Sequence, residues 1–118
     1  MIPDIHPLAD YPEFHDVVAE WLWKEWGTPL NCGLYKSLVV HCQKDTIPAL
    51  YFACVDKKPI GTFGLLRTDL LSRQEFTLWM AVLYVLPEYR GQGIAANLQE
   101  HALKEAKRLM FPHLFLYT

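Results

Sequence analysis

Apolar positions along the chain switch between helical and strand-like spacing, and each switch marks an element. Asp10-Tyr11-Pro12-Glu13 reads as a helix start: Asp10 can cap, Pro12 is tolerated in a first turn, and Glu13 lies where a capping box wants it. Phe14, Val17, Val18, Trp21, Leu22 and Glu25 follow at steps of three and four, and Gly27 with Pro29 ends the helix. Trp23 and Trp26 broaden the apolar stripe, which suits core or rim packing better than a substrate groove. Asn31 is placed to cap a second helix running through Leu34, Leu38 and His41 to about Lys44, and Pro48 prevents its continuation. Two β-rich runs, Ala49–Val55 and Ile60–Leu66, are joined by Asp56-Lys57-Lys58-Pro59, a hairpin signal. Thr68–Glu75 is a polar connection, and Phe76–Leu86 is the third long strand, expected at the centre of the sheet and antiparallel to Ile60–Leu66. Beyond it, Ile94, Ala95, Leu98, Ala102, Ala106 and Leu109 form one helical stripe. Glu100 and Lys104 can pair on its outer face, while Lys107 and Arg108 suit its C-terminal end. Pro112 breaks this helix, and His113–Tyr117 reads as a short buried strand parallel to Phe76–Leu86. The pattern predicts an α/β fold of the α+β kind, one domain over residues 1–118 with a mixed sheet.

The corner between the third strand and the last helix carries the chemistry. The apolar run Val82–Leu86 is stopped by Pro87, and a short turn holding Arg90, Gly91 and Gly93 opens into Ile94-Ala95-Ala96-Asn97-Leu98. Such a turn gathers unpaired backbone N–H groups at the positive end of a helix dipole, an arrangement that binds phosphate. Gly91 and Gly93 remove the Cβ atoms that would block an anion, and Arg90 adds a permanent charge with a fork of donors. Two rival fingerprints fail here. A dinucleotide-binding loop needs an acidic residue about 20 residues on, but Phe111–Thr118 contains no carboxylate. A Walker A loop needs Lys-Ser/Thr after the glycines, and none follows.

Arg90-x-x-Gly93-x-Ala95, within Val85-Leu-Pro-Glu-Tyr-Arg-Gly-Gln-Gly-Ile-Ala95, resembles the signature of the GNAT superfamily of N-acetyltransferases. The resemblance covers Ala49 to Thr118 closely and the N-terminal helices loosely. It implies a GNAT-like acyl-CoA N-acyltransferase fold with acetyl-CoA as acetyl donor. Arg90, Gly91, Gln92, Gly93, Ile94 and Ala95 would hold its pyrophosphate, and the backbone of Leu83, Tyr84 and Val85 would hydrogen-bond the pantetheine arm like an added strand. A backbone N–H near Val85 would be the oxyanion donor. The acceptor would be a primary amine of a small molecule or peptide, attacking the thioester directly. The alternative is a non-catalytic acyl-CoA-binding module or an inactive fragment.

The catalytic groups themselves are not legible. The family often draws a base from a strand carboxylate, whereas the matching region here is Trp79-Met80-Ala81. Glu75 and Asp69 lie in the preceding connection, either as partners in a water relay or as solvated loop charges. Family members usually continue past the last strand into a helix and a hairpin bearing a tyrosine acid, but this chain stops at Thr118. Tyr117 and Tyr84 are near, yet neither matches that tyrosine by position. A C-terminally truncated sheet of this kind is expected to weaken turnover and to favour a homodimer or a partner strand across the open flank.

Composition narrows the remaining classes. The chain has 118 residues, 52% hydrophobic and 20% charged, with a net charge of −2 and no basic run, which argues against nucleic acid. No apolar stretch reaches membrane-spanning length, and Met1-Ile-Pro-Asp4 lacks the basic start of a signal peptide, so a cytoplasmic location is expected. Cys32, Cys42 and Cys54 lack any C-x-x-C pair and read as reduced, mostly buried thiols. His6, His15, His41, His101 and His113 are scattered without metal-ligand spacing and read as surface or satisfied core residues; no metal is expected.

Overall fold

The computed structural model describes residues 2–68, 72 and 77–116. Its elements run β1 (Asp4–Pro7), α1 (His15–Trp26), α2 (Cys32–Val40), β2 (Ala49–Val55), β3 (Lys58–Leu66), β4 (Trp79–Val85), α3 (Ile94–Arg108) and β5 (Phe115–Leu116). The strands form one sheet in the order β1-β2-β3-β4-β5. Every pairing is antiparallel except that of β4 with β5, which the crossover through α3 makes parallel. The mixed α/β sheet expected from the pattern is therefore present.

β2 shows why the sheet has two covered faces. Ala49, Tyr51 and Ala53 point to a core shared with Ile94, Leu98, Ala102 and Ala106 of α3. Leu50 and Phe52 point the other way, to Leu8, Val18, Ala19, Leu22 and Val39. Alternate residues of one strand thus feed opposite layers, and a strand apolar on both faces reads as a continuous run. The hairpin between β2 and β3 is tighter than its composition implied. Asp56 and Lys57 alone make the turn, both at positive φ (51° and 64°), and β3 begins at Lys58. Two left-handed residues match the right-handed twist of the flanking strands.

Several local expectations need correction. β1 lies outside the periodic stretches and forms because β2 offers it an edge, with Asp4 opposite Cys54 and His6 opposite Phe52. Asp10 does not cap α1; a 3-10 turn at Pro12–Phe14 precedes the helix, and Asp10 pairs with Lys44 at 2.9 Å instead. Asn31 does not cap α2 either, since its Oδ1 accepts the Thr28 N–H at 2.6 Å. α2 stops at Val40, short of Lys44. β3, rather than β4, holds the middle of the sheet, although β4 is internal to it. Ala95 is exposed, so the buried stripe of α3 is Ile94, Leu98, Ala102 and Ala106. β5 is not a buried strand: Leu116 is 49% exposed, and Tyr117 lies outside the described residues. Cys32 is exposed, Cys42 buried and Cys54 intermediate.

Polar groups lock α3 across the sheet. The Tyr51 hydroxyl donates to Glu105 Oε1 at 3.0 Å. Arg108 then spans Glu105 at 3.0 Å, Asp45 at 2.9 Å and the Lys44 carbonyl at 2.8 Å. Burial, and next the charge of Glu105, push the Tyr51 phenol up to about 12. The buried Thr62 hydroxyl donates to the Tyr51 carbonyl at 2.7 Å. No helix among the described residues is long and apolar enough to cross a membrane.

Candidate active site

β4 pairs evenly with β3 until a bulge. Gly64 faces Ala81, but Thr62 faces Tyr84, so β4 spends one extra residue in the interval. Val82 at this point has φ 49°, a conformation costly for a β-branched residue. Beyond the bulge the ladder resumes, with Leu86 N–H donating to Ile60 C=O at 2.9 Å. Alternation along an antiparallel pair then turns the Val85 N–H and C=O away from β3. The Val85 carbonyl is met on that outer side by Arg90 Nε–H at 2.8 Å. β5 pairs with β4 only at Trp79 and Met80. Among the described residues, the outer edge of β4 after the bulge is thus not covered by a strand.

That open edge leads into the glycine turn. Pro87–Tyr89 form a 3-10 turn, and Arg90 follows in extended conformation. Gly91 and Gly93 sit at φ 77° and 81°, the left-handed region where other residues are strained. A Cβ added at either would meet nothing within 4 Å, so each glycine faces open space. Gly93 is the residue before α3, no side chain caps the helix there, and the first backbone bond runs from Asn97 N–H to Gly93 C=O at 3.2 Å. The N–H groups of the opening turn therefore have no intrahelical acceptor. Exposed Arg90 is held at this corner through its Nε, and neither Nη makes a hydrogen bond among the described residues. Uncapped N–H groups, open space over two glycines and a guanidinium together fit a diphosphate.

An aromatic cluster missed in the sequence borders this corner. Tyr84 sits 5.7 Å from Trp21 and 6.4 Å from Trp26, ring centre to centre. The Arg90 guanidinium lies 5.5 Å from the Tyr84 ring centre. Trp26, on the end of α1, stays 46% exposed. Helical periodicity showed both tryptophans, but not that β4 would present Tyr84 between them. A cavity of about 370 Å³ lies between α1 and α2, lined by Asp16, Ala19, Glu20, Trp23, Cys32 and Lys36. Glu75 and Asp69 lie outside the described residues. Trp79, Met80 and Ala81 are buried, and none carries an acid or base.

The GNAT acetyltransferase family pattern matches residues 15–118, nearly the whole chain. The chain belongs to the GNAT acetyltransferase family. No curated protein sequence matches it significantly. Solved structures agree on the fold. A transcriptional regulator from Bacillus halodurans C-125 aligns with TM-score 0.72 and 19% identity, over 98% of this chain and 81% of that one. AAC(6')-Iy, solved with the bisubstrate analogue CoA-S-monomethyl-acetylneamine, aligns with TM-score 0.71 and 17% identity over 98% and 78%. The aminoglycoside acetyltransferase meta-AAC0020 from an uncultured soil metagenomic sample, solved with sisomicin, aligns with TM-score 0.68 and 14% identity over 98% and 76%. At these identities the likeness is one of fold. This GNAT chain spans roughly four fifths of the length of those structures.

Proposed function

We propose that this GNAT chain binds acetyl-CoA between the open edge of β4 and the glycine turn, and transfers the acetyl group to a primary amine. The observation that carries this reading is the continuity of the two features. One edge, from the bulge to Val85, runs directly into an uncapped helix start flanked by Gly91, Gly93 and Arg90. Pyrophosphate would sit on the N–H groups of Gly91–Ala95, with Arg90 Nη donors beside it. The pantetheine arm would lie along Leu83, Tyr84 and Val85 as an added strand. Its thioester carbonyl would accept a hydrogen bond from a backbone N–H near Val85 on this open edge. The amine lone pair attacks the thioester carbon, a backbone N–H near Val85 steadies the oxyanion, and the C–S bond breaks to release coenzyme A as the thiolate, which takes a proton from solvent. The amine proton leaves to solvent, since no buried carboxylate stands on β4.

The acceptor would approach over Tyr84, Trp21 and Trp26. Coenzyme A–linked and aminoglycoside-bound neighbours support a small amine over a protein side chain as acceptor. No basic run favours nucleic acid as a partner. We further propose that β5, one of the two edge strands among the described residues, accepts a partner strand or a second copy; light scattering tests this. A second reading, acyl-CoA binding without turnover, draws on the absence of an acid or base on buried Trp79–Ala81. Thiol release measured over an amine panel decides between the two. Release above the no-amine background supports transfer. Tight coenzyme A binding without release supports the binding module, and no binding at all rejects both.

A further inference from the structure

The opposite edge of the sheet carries a second constellation that acyl transfer does not use. Asp4 and His6 lie two apart on β1, so their side chains share one face. Asp4 is in register with Cys54 of β2, and Cys54 sits where a bulge shifts the β2–β3 pairing after Ala53. A bulge re-aims a side chain. The outcome is one carboxylate oxygen, one imidazole nitrogen and one sulfur, all within 4.8 Å of one another. His6 is held from behind by Tyr11 at 5.2 Å and Phe52 at 5.8 Å, which limits its ring to few orientations. Asp4 is exposed while His6 and Cys54 are half-buried, so an ion can enter from solvent and reach all three donors.

We propose that Asp4, His6 and Cys54 form a three-ligand site for a borderline divalent transition ion of the zinc type. The donor set decides the class. Thiolate with imidazole selects zinc, cobalt or nickel over magnesium and calcium, which prefer all-oxygen shells. With metal–ligand bonds of about 2.0–2.3 Å, a tetrahedral ion holds its donors about 3.5 Å apart, so side-chain torsions must draw the trio in by roughly 1 Å. Water completes the fourth position. On binding, the Cys54 S–H bond breaks, sulfur keeps the electron pair as a metal-bound thiolate, and the proton goes to solvent. β1 is three strands from β4, roughly 14 Å at ordinary strand spacing. The ion would therefore clip the edge strand β1 to β2 and not enter the acetyl-transfer chemistry.

Cobalt(II) chloride and zinc chloride added to the 118-residue chain are the probes. One equivalent of cobalt should give a thiolate-to-metal charge-transfer band, and zinc should displace it. Cys54→Ser should abolish the band, and His6→Ala should weaken binding by at least about 10–100-fold, the loss that even a ligand's supporting partner produces. Cys32→Ser should leave both unchanged, and circular dichroism of each variant checks folding independently. Zinc should raise the melting temperature of the parent chain and of Cys32→Ser, but not of Cys54→Ser. A band that survives Cys54→Ser, or that vanishes with Cys32→Ser, overturns the site. So does cobalt affinity unchanged in a folded His6→Ala chain.

Discussion

Arg90 has two tasks in this account. Its Nε–H braces the Val85 carbonyl at 2.8 Å, while its Nη groups are the proposed donors to phosphate. Arg90→Ala removes both. Loss of a charged hydrogen bond to pyrophosphate costs about 1.5–3 kcal/mol, and the lower end applies because the side chain is exposed. Loss of the brace on the Val85 carbonyl adds about 1 kcal/mol, since Val85 belongs to the edge along which the pantetheine arm is proposed to lie. The sum, about 2.5 kcal/mol, corresponds to roughly 60-fold weaker coenzyme A binding. Arg90→Lys keeps the charge, but one ammonium cannot hold Val85 and present a fork to phosphate, so roughly tenfold weakening is expected. Calorimetric titration with coenzyme A at low and high salt reads both, and the gap between parent and Arg90→Ala should narrow as salt screens the charge. If folded Arg90→Ala binds within about twofold of the parent at low salt, Arg90 is not part of the cradle.

Other outcomes follow from the same geometry. Gly93→Ala meets no steric obstacle in the free chain, so it should destabilise folding by only about 1–2 kcal/mol, the strain of a left-handed Ala; coenzyme A affinity should fall much further, and equal small losses in thermal melting and binding would contradict the anion reading. Leu98→Ala, at a fully buried position on α3, should cost about 2–5 kcal/mol in denaturant unfolding. For Tyr51, the folded pKa of about 12 exceeds the ordinary 10.0, so its stabilisation is complete below pH 10.0 and is lost as pH rises towards about 12. Unfolding curves across that window should flatten in Tyr51→Phe, and an unchanged slope would rule out Tyr51 as the cause.

Elements that make their own case locally were legible. β2 and β3 are continuous apolar runs around a turn of Asp56 and Lys57, and α3 shows a strict apolar stripe opened by Gly93. The glycine turn that opens α3 was legible for the same reason, because its residues lie in one short stretch. What escaped depends on contacts between distant segments. β1 has no strand pattern of its own and exists because β2 offers an edge. Asp10 carries a capping signature, yet Lys44 from another turn claims its carboxylate. Tyr84 reads as one more apolar strand position until α1 brings Trp21 and Trp26 against it. The histidines lack metal spacing along the chain, but His6 meets Cys54 across two strands.

Amide chemical-shift mapping of coenzyme A binding by NMR tests the central claim most directly. The account predicts that the largest shifts fall on Val85 and on Gly91 through Ala96, with weaker ones along Leu83 and Tyr84 and none on Asp4–Pro7 at the far edge. Shifts centred on the cavity between α1 and α2, or a spectrum that coenzyme A leaves unchanged, would contradict it.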